Sequence, residues 1–295
     1  MSEDGWRRSR RVAKVLDEAD VLHVAVDARN GPHVTPTVFD VDGGRLWFVT
    51  PRRSVKAKVI GRRRRVGGLV QLGRWSVVLG GRARIVDPLT ARGIFSPDRL
   101  LDLPFAAAGY LGRNHRHATG TIRDHEAPTL ALSRVLVSID IRRLALLDGW
   151  TVIESWGRWS EVHLLMRGEP PAGTAPDLAA VPPGVRNLLA DDAPIALGWC
   201  SPDGPLALPA RWRGGAQLET SAEILALAGA ASGSPASVCA ERSRYRLKSK
   251  QGLLLTGAGH ARIAREGSVA RVTLDTRRAT WWHGEETDTI AARSG

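Results

Sequence analysis

The chain has 295 residues, 43% of them apolar and 24% charged, a balance that excludes global disorder and leaves room for two ordinary domains. Its net charge is +12 and unevenly placed: residues 1–167 hold 28 Lys+Arg against 17 Asp+Glu, and residues 168–295 hold 14 against 13. No run approaches the ~18 uninterrupted apolar residues of a membrane span, and MSEDGWRRSRR lacks the apolar core of a signal peptide, so the expected address is the cytoplasm.

Apolar residues at Trp6, Val12, Val15, Leu16 and Ala19 follow helical spacing and predict a helix over 3–19. From Val21 the pattern changes. LHVAVDARNGPHVTPTVFDVDGGRLWFVT reads as three runs parted by turn residues at Arg29-Asn30-Gly31 and Asp42-Gly43-Gly44, an antiparallel meander. Ser54 stands where an N-cap belongs, ahead of a short helix in VKAKVIGRRRR. VGGLVQL and WSVVLGGRARIV read as strands, followed by a helical excursion around 88–112, a His- and Arg-rich loop to about 128, and a strand in LSRVLVSIDI. Trp150, Trp156 and Trp159 fall on a stretch read as lying between two halves.

Residues 168–184 (GEPPAGTAPDLAAVPPG) are rich in Pro and Gly and read as a linker. The chain then repeats itself. Gly31-Pro32 with Pro36 recurs as Gly204-Pro205 with Pro209, and Gly81–Ile85 recurs as Gly259–Ile263. Asp140, Arg142, Arg143 and Gly149 recur as Asp275, Arg277, Arg278 and Gly284 at identical spacing. So long a period means a duplicated domain, not a solenoid. The expected division is 1–167 for a first domain carrying the chemistry and 185–295 for a degenerate second one.

The chemistry concentrates in Thr50-Pro51-Arg52-Arg53-Ser54-Val55-Lys56-Ala57-Lys58, where a strand hands over to a helix. Unpaired N–H groups, the hydroxyls of Thr50 and Ser54 and the cations of Arg52 or Arg53, Lys56 and Lys58 suit a phosphate, though a solvated basic helix with a serine cap has the same spacing. Cys200 and Cys239 form no C-x-x-C pair, and no helical H-x-x-x-H or H-E-x-x-H appears, so no metal site is expected. His115, His117, Asp124, His125 and Glu126 read as a solvated loop.

The run from His23 to Val86, with D-x-x-x-G-x-P-H-V-T-P, L-W-F-V-T-P-R-x-S-x-K-A-K and G-x-A-x-I, resembles the FMN-binding split-barrel family typified by pyridoxamine 5′-phosphate oxidase. The resemblance implies a mainly β fold of two tandem six-stranded split barrels and a flavin-type cofactor, FMN or the deazaflavin F420, in an oxidoreductase acting on a small organic substrate. It implies that Thr50, Arg52, Ser54, Lys56 and Lys58 hold the cofactor phosphate. Thr35, Pro36 and Thr37 would border the isoalloxazine, and Val49 would approach it through its backbone. Aligned with Thr50–Lys58, the second repeat offers Thr220–Leu227, where Glu223 and apolar residues replace the cations. One site per chain is therefore expected, in a monomer with an internal pseudo-dimer or in a homodimer. No acid or base is assigned, because the reactivity belongs to the cofactor. Two other readings stay open: a haem- or flavin-binding protein without turnover, with His115, His117 or His260 as axial ligand, and nucleic-acid binding by the basic first half.

Overall fold

The computed structural model describes residues 5–86, 133–160, 165–244, 249–264, 267–284 and 286–291. The expected excursion at 88–112 and the histidine-rich loop, with His115, His117 and His125, lie outside them.

A 3-10 turn over Gly5–Arg8 precedes α1 (Arg10–Glu18), which Ser9 caps by accepting a hydrogen bond from Val12 N. The predicted N-terminal helix is thus two pieces. The first barrel follows as β1 (Leu22–Ala28), β2 (Gly31–Thr37), β3 (Asp40–Asp42), β4 (Arg45–Pro51), α2 (Val55–Ile60), β5 (Arg65–Leu72), β6 (Trp75–Val86), β7 (Arg134–Asp148) and β8 (Thr151–Gly157). Hydrogen bonding runs β2-β1-β5-β6-β7-β4-β3, with β8 paired to β7. Because β3 continues the path of β2 after two residues, the six-stranded ring closes on itself and leaves few free edges. The expected helix through Arg65 stops at Ile60, since Arg65 already pairs with Arg82 as the first residue of β5. Trp156, read as lying between halves, belongs to β8 and is buried.

The second barrel comprises α3 (Pro183–Arg186), β9 (Pro194–Ser201), β10 (Gly204–Trp212), β11 (Gln217–Ser221), α4 (Ala222–Leu227), β12 (Ser234–Arg244), β13 (Ser249–Ile263), β14 (Val269–His283) and β15 (Glu286–Ala291). Its order is β11-β10-β9-β12-β13-β14-β15, closed by β11 pairing with β14. Between the barrels, Arg167 bridges to Ile263 of the second sheet, and Thr174 O accepts from Thr276 N.

The two barrels match in order once β2 and β3 together are set against β10, which pairs with both β9 and β11. Gly31 and Gly204 open β2 and β10 with φ of 107° and 118°, a backbone region that glycine alone enters freely. Each long hairpin carries a bulge, at Gly80/Gly81 in β6 and Thr256/Gly257 in β13. In each, a Cβ at the bulge glycine would collide with the carbonyl oxygen of the matched aspartate, Asp140 for Gly81 and Asp275 for Gly257. The structure thereby corrects the expected pairing of Gly81–Ile85 with Gly259–Ile263, which is two residues out of register. A two-residue slip preserves the face of a strand, so the apolar pattern could not reveal it.

The barrels dock through β1, β2 and β5 of the first against β9, β10 and β12 of the second. Ala25, Val34, Leu69 and Val78 join the core of the second barrel around Trp199 and Leu206. The contact is two-fold in pattern: a Cβ on Gly31 would meet Pro235 at 3.2 Å, and one on its counterpart Gly204 would meet Arg65 at 3.0 Å. Among the described residues no helix is long and apolar enough to cross a membrane.

Candidate functional site

The turn from β4 into α2 gathers part of the expected donor set. Ser54 caps α2 by accepting from Ala57 N at 3.1 Å, and its hydroxyl lies 3.1 Å from that of buried Thr50. Lys56 follows two residues later with 8% of its surface exposed. Its Nζ donates to Pro36 O at 3.4 Å and sits 5.7 Å from the centroid of Phe48. Among the described residues no carboxylate pairs with it. Burial pushes this ammonium down to about 8. α2 has only six residues, so the side chains, more than a summed helix dipole, would hold an anion here.

The other expected residues are placed as follows. Thr35 is half-buried, yet its Oγ1 is enclosed and without a hydrogen-bond partner. Pro36 supplies the carbonyl that Lys56 reaches. Thr37 is buried, with its hydroxyl turned to Val38 O. Val49 is half-buried opposite Leu136 of β7, and Arg52 is half-buried with its backbone N–H donated to Ser133 O. Lys58 is exposed in the last turn of α2, joined to Ser54 only by its backbone N–H, which donates to Ser54 O at 3.1 Å, with no described side-chain contact to the others. The enclosed Thr35 hydroxyl and the buried, carboxylate-free Lys56 fit a group that brings an anion and acceptor atoms.

Sequence reasoning missed the groups that line up with Lys56 across the barrel seam. His23 of β1 lies with Nε2 3.6 Å from Glu241 Oε1 of β12, both side chains nearly enclosed. Burial pushes His23 down to about 4, with the charge of Lys56 adding, and the same two causes act on His33, also to about 4. Glu241 is pushed up to about 7 by burial. Cys239 of β12 is buried, and its thiol is raised by burial first and by Glu241 second. These groups come from distant stretches that only docking unites. The one available signal was a histidine in a strand whose neighbours are all apolar.

The second repeat rebuilds the turn with different chemistry. Ser221 caps α4 by accepting from Ile224 N at 3.3 Å, so it is Ser221 that matches Ser54, and Glu223 stands in the place of Lys56. The expected residue-by-residue alignment from Thr50 to Lys58 therefore holds at Thr220 only, and the turn is three residues shorter. Glu223 is engaged: its Oε2 accepts from Val152 N of β8 at 2.7 Å, which ties the first sheet to the second barrel.

Three cavities open along the seam, away from the Thr35–Lys58 set. One pairs the β6–β7 bulge with the β9–β10 turn, and its two-fold counterpart pairs the β13–β14 bulge with the β1–β2 turn. His260, the described haem-ligand candidate, is half-buried on β13 beside Gly233.

A pair of fused split barrels, with a hydroxyl- and lysine-bearing strand-to-helix turn in the first, is the class of protein that these features define. Within that first barrel, residues 8–96 match the model of the pyridoxamine 5′-phosphate oxidase family. No curated protein matches the chain. Among solved structures it is similar to a conserved hypothetical protein of Mycobacterium tuberculosis, at 23% identity over 48% of this chain and 85% of that one, TM-score 0.37. It is also similar to a pyridoxamine 5′-phosphate oxidase-related, FMN-binding protein of Nostoc punctiforme, at 19% identity over 50% and 87% of the two chains, TM-score 0.36. A haem-binding protein of Mycobacterium smegmatis matches at 13% identity over 48% and 55%, TM-score 0.37.

Proposed function

We propose that this chain binds one flavin-type cofactor, FMN or F420, at the seam between its barrels and works as a cytoplasmic oxidoreductase on a small organic substrate. The observation that carries this reading is Lys56: a buried ammonium facing a carbonyl and an aromatic ring, with no carboxylate among the described residues to neutralise it, two residues after Ser54, whose hydroxyl meets that of Thr50. A phosphate would supply the missing charge and accept from all three groups. The match of residues 8–96 to the pyridoxamine 5′-phosphate oxidase family model supports the same placement.

When bound, the cofactor would supply hydride transfer. The protein's residues then act as follows. Thr50, Ser54, Lys56 and Arg52 hold the phosphate, while Thr35 offers its unpaired hydroxyl toward the ring system and Pro36 shapes the wall. His23, His33 and Glu241, all pushed toward their neutral forms, keep the enclosed surroundings free of competing charge. The second barrel contributes the facing wall, as a second subunit would. Glu223 would repel a phosphate at the matching turn, giving one site per chain.

The test is titration of the purified chain with FMN, riboflavin and F420, followed by absorbance and flavin fluorescence. Binding of FMN that riboflavin fails to match, lost in Lys56→Met, supports the reading. Equal affinity for FMN and riboflavin would remove the phosphate assignment, and a Soret band on haem addition with no flavin binding would replace the reading altogether.

A further inference from the structure

Two cavities, of about 570 and 550 Å³, adjoin one another where the β6–β7 bulge of the first barrel faces the β9–β10 turn of the second. They share Arg65, Arg82 and Pro202 in their walls, so they form one groove. Arginine dominates the charged side chains of its lining. Arg142, Arg143 and Arg158 complete the first cavity and Arg63 and Arg64 the second, against two carboxylates, Asp27 and Asp203.

Both carboxylates are already engaged. Asp27 pairs with Arg63, and Asp203 accepts from Arg143 Nη1 at 2.9 Å and from Ser160 Oγ at 2.5 Å. Asp140, just outside the lining, takes Arg142 at 2.7 Å, so among the described residues the seven arginines keep a surplus of four positive charges. Two observations separate this groove from a solvated basic face. Arg143 is 5% exposed, stacked 5.1 Å from the centroid of Trp159, and its ionisation is lowered by burial even against the charge and hydrogen bond of Asp203. The indole N–H of Trp159, in the same wall, is enclosed and has no acceptor. A buried donor among crowded cations is costly unless an acceptor arrives to serve it.

We propose that this groove binds a small organic polyanion bearing at least two phosphate groups, at a site separate from the Thr50–Lys56 turn. Guanidinium groups grip phosphate oxygens in pairs, and the volume of each cavity is that of a small-molecule site, larger than one inorganic phosphate requires. Two joined cavities call for anionic groups set apart along the ligand. Confinement between the barrels favours a compact molecule over a nucleic-acid duplex, whose backbone needs an open track.

Calorimetric titration of the full chain with sodium tripolyphosphate tests the assignment, with citrate and a short single-stranded oligonucleotide as parallel arms. Saturable one-to-one binding of tripolyphosphate is expected, weakened about tenfold or more in Arg82→Ala/Arg158→Ala and unchanged in Arg84→Ala, an exposed arginine of the same strand outside the groove. Both altered side chains are exposed, so folding should survive, and circular dichroism checks it. Binding should change tryptophan fluorescence, and Trp159→Phe should remove that change. FMN titration of the double variant should match the unaltered chain, which keeps this inference separable from the cofactor reading. Absence of saturation, an equal loss in Arg84→Ala, tighter binding of citrate, or tighter binding of the oligonucleotide would each overturn it.

Discussion

Replacing Lys56 by Met should stabilise the cofactor-free protein near neutral pH while removing its grip on a phosphate. The lysine is 8% exposed, and burial brings its ionisation from 10.5 down to about 8. A difference of that size corresponds to about 3 kcal/mol of penalty for holding the charged form in the fold. The sign follows from proton counts. Between about pH 8 and 10.5 the unfolded chain binds more protons at this site than the folded one, so stability rises with pH across that window. Below it the whole penalty is in force. Methionine, similar in length and apolar, carries neither the penalty nor the slope. Against this stands the loss of the Pro36 hydrogen bond and the contact with Phe48, each worth on the order of 1 kcal/mol. The net gain expected at about pH 7 is on the order of 1 kcal/mol, and it should vanish by about pH 10.5. Urea unfolding followed by circular dichroism at both pH values measures it, with FMN and riboflavin titrations alongside. A variant less stable than the parent at neutral pH, with the parent's pH slope intact, would refute the account of Lys56 as an uncompensated buried charge.

Other expectations concern the seam. Glu241→Gln should leave stability unchanged in acid and raise it by up to about 3 kcal/mol above neutrality. The carboxyl's upward shift from 4.5 to about 7 favours folding below 4.5, and that contribution is lost as pH rises through 7, which the amide does not suffer. His23 works in the opposite direction and a lower window: its contribution is complete above 6.5 and is lost as pH falls through about 4, so His23→Gln should flatten acid unfolding. Gly67→Ala would set a Cβ 2.5 Å from Leu206 Cα of the facing barrel and should lower stability by roughly 1–3 kcal/mol, read as a falling unfolding midpoint. Arg143→Leu removes the bonds to Asp203 and Ser201 and should cost about 1–3 kcal/mol, with Asp203→Asn costing less on that background than alone.

Local signals in the chain were good guides wherever a residue acts through its own backbone. The caps at Ser54 and Ser221, the turn glycines at 31, 149, 204 and 284, and the paired Asp-Arg-Arg strands all declare themselves because their constraints are local. What distant segments decide was hidden. β8 is short and its apolar pattern weak, so it reads as a connector until β7 is there to pair with it. The two-residue offset between β6 and β13 is set by where each bulge falls against its partner strand. Likewise, nothing in the stretch around His23 announces Glu241, more than two hundred positions later, and Arg143 gives no sign that its partner Asp203 lies in the other barrel.

The exchange of Lys56 for Glu223 at matching turns has a meaning beyond the count of sites. In a two-fold assembly of identical subunits every substitution strikes both halves at once, so a residue that helps one place and harms the other is held in check. Joining the halves in one chain lifts that constraint. A carboxylate that would spoil the first turn is free, in the second, to fasten Val152 of the neighbouring barrel. In the second barrel the position works as a clasp, and each barrel can go on diverging without asking the other to follow.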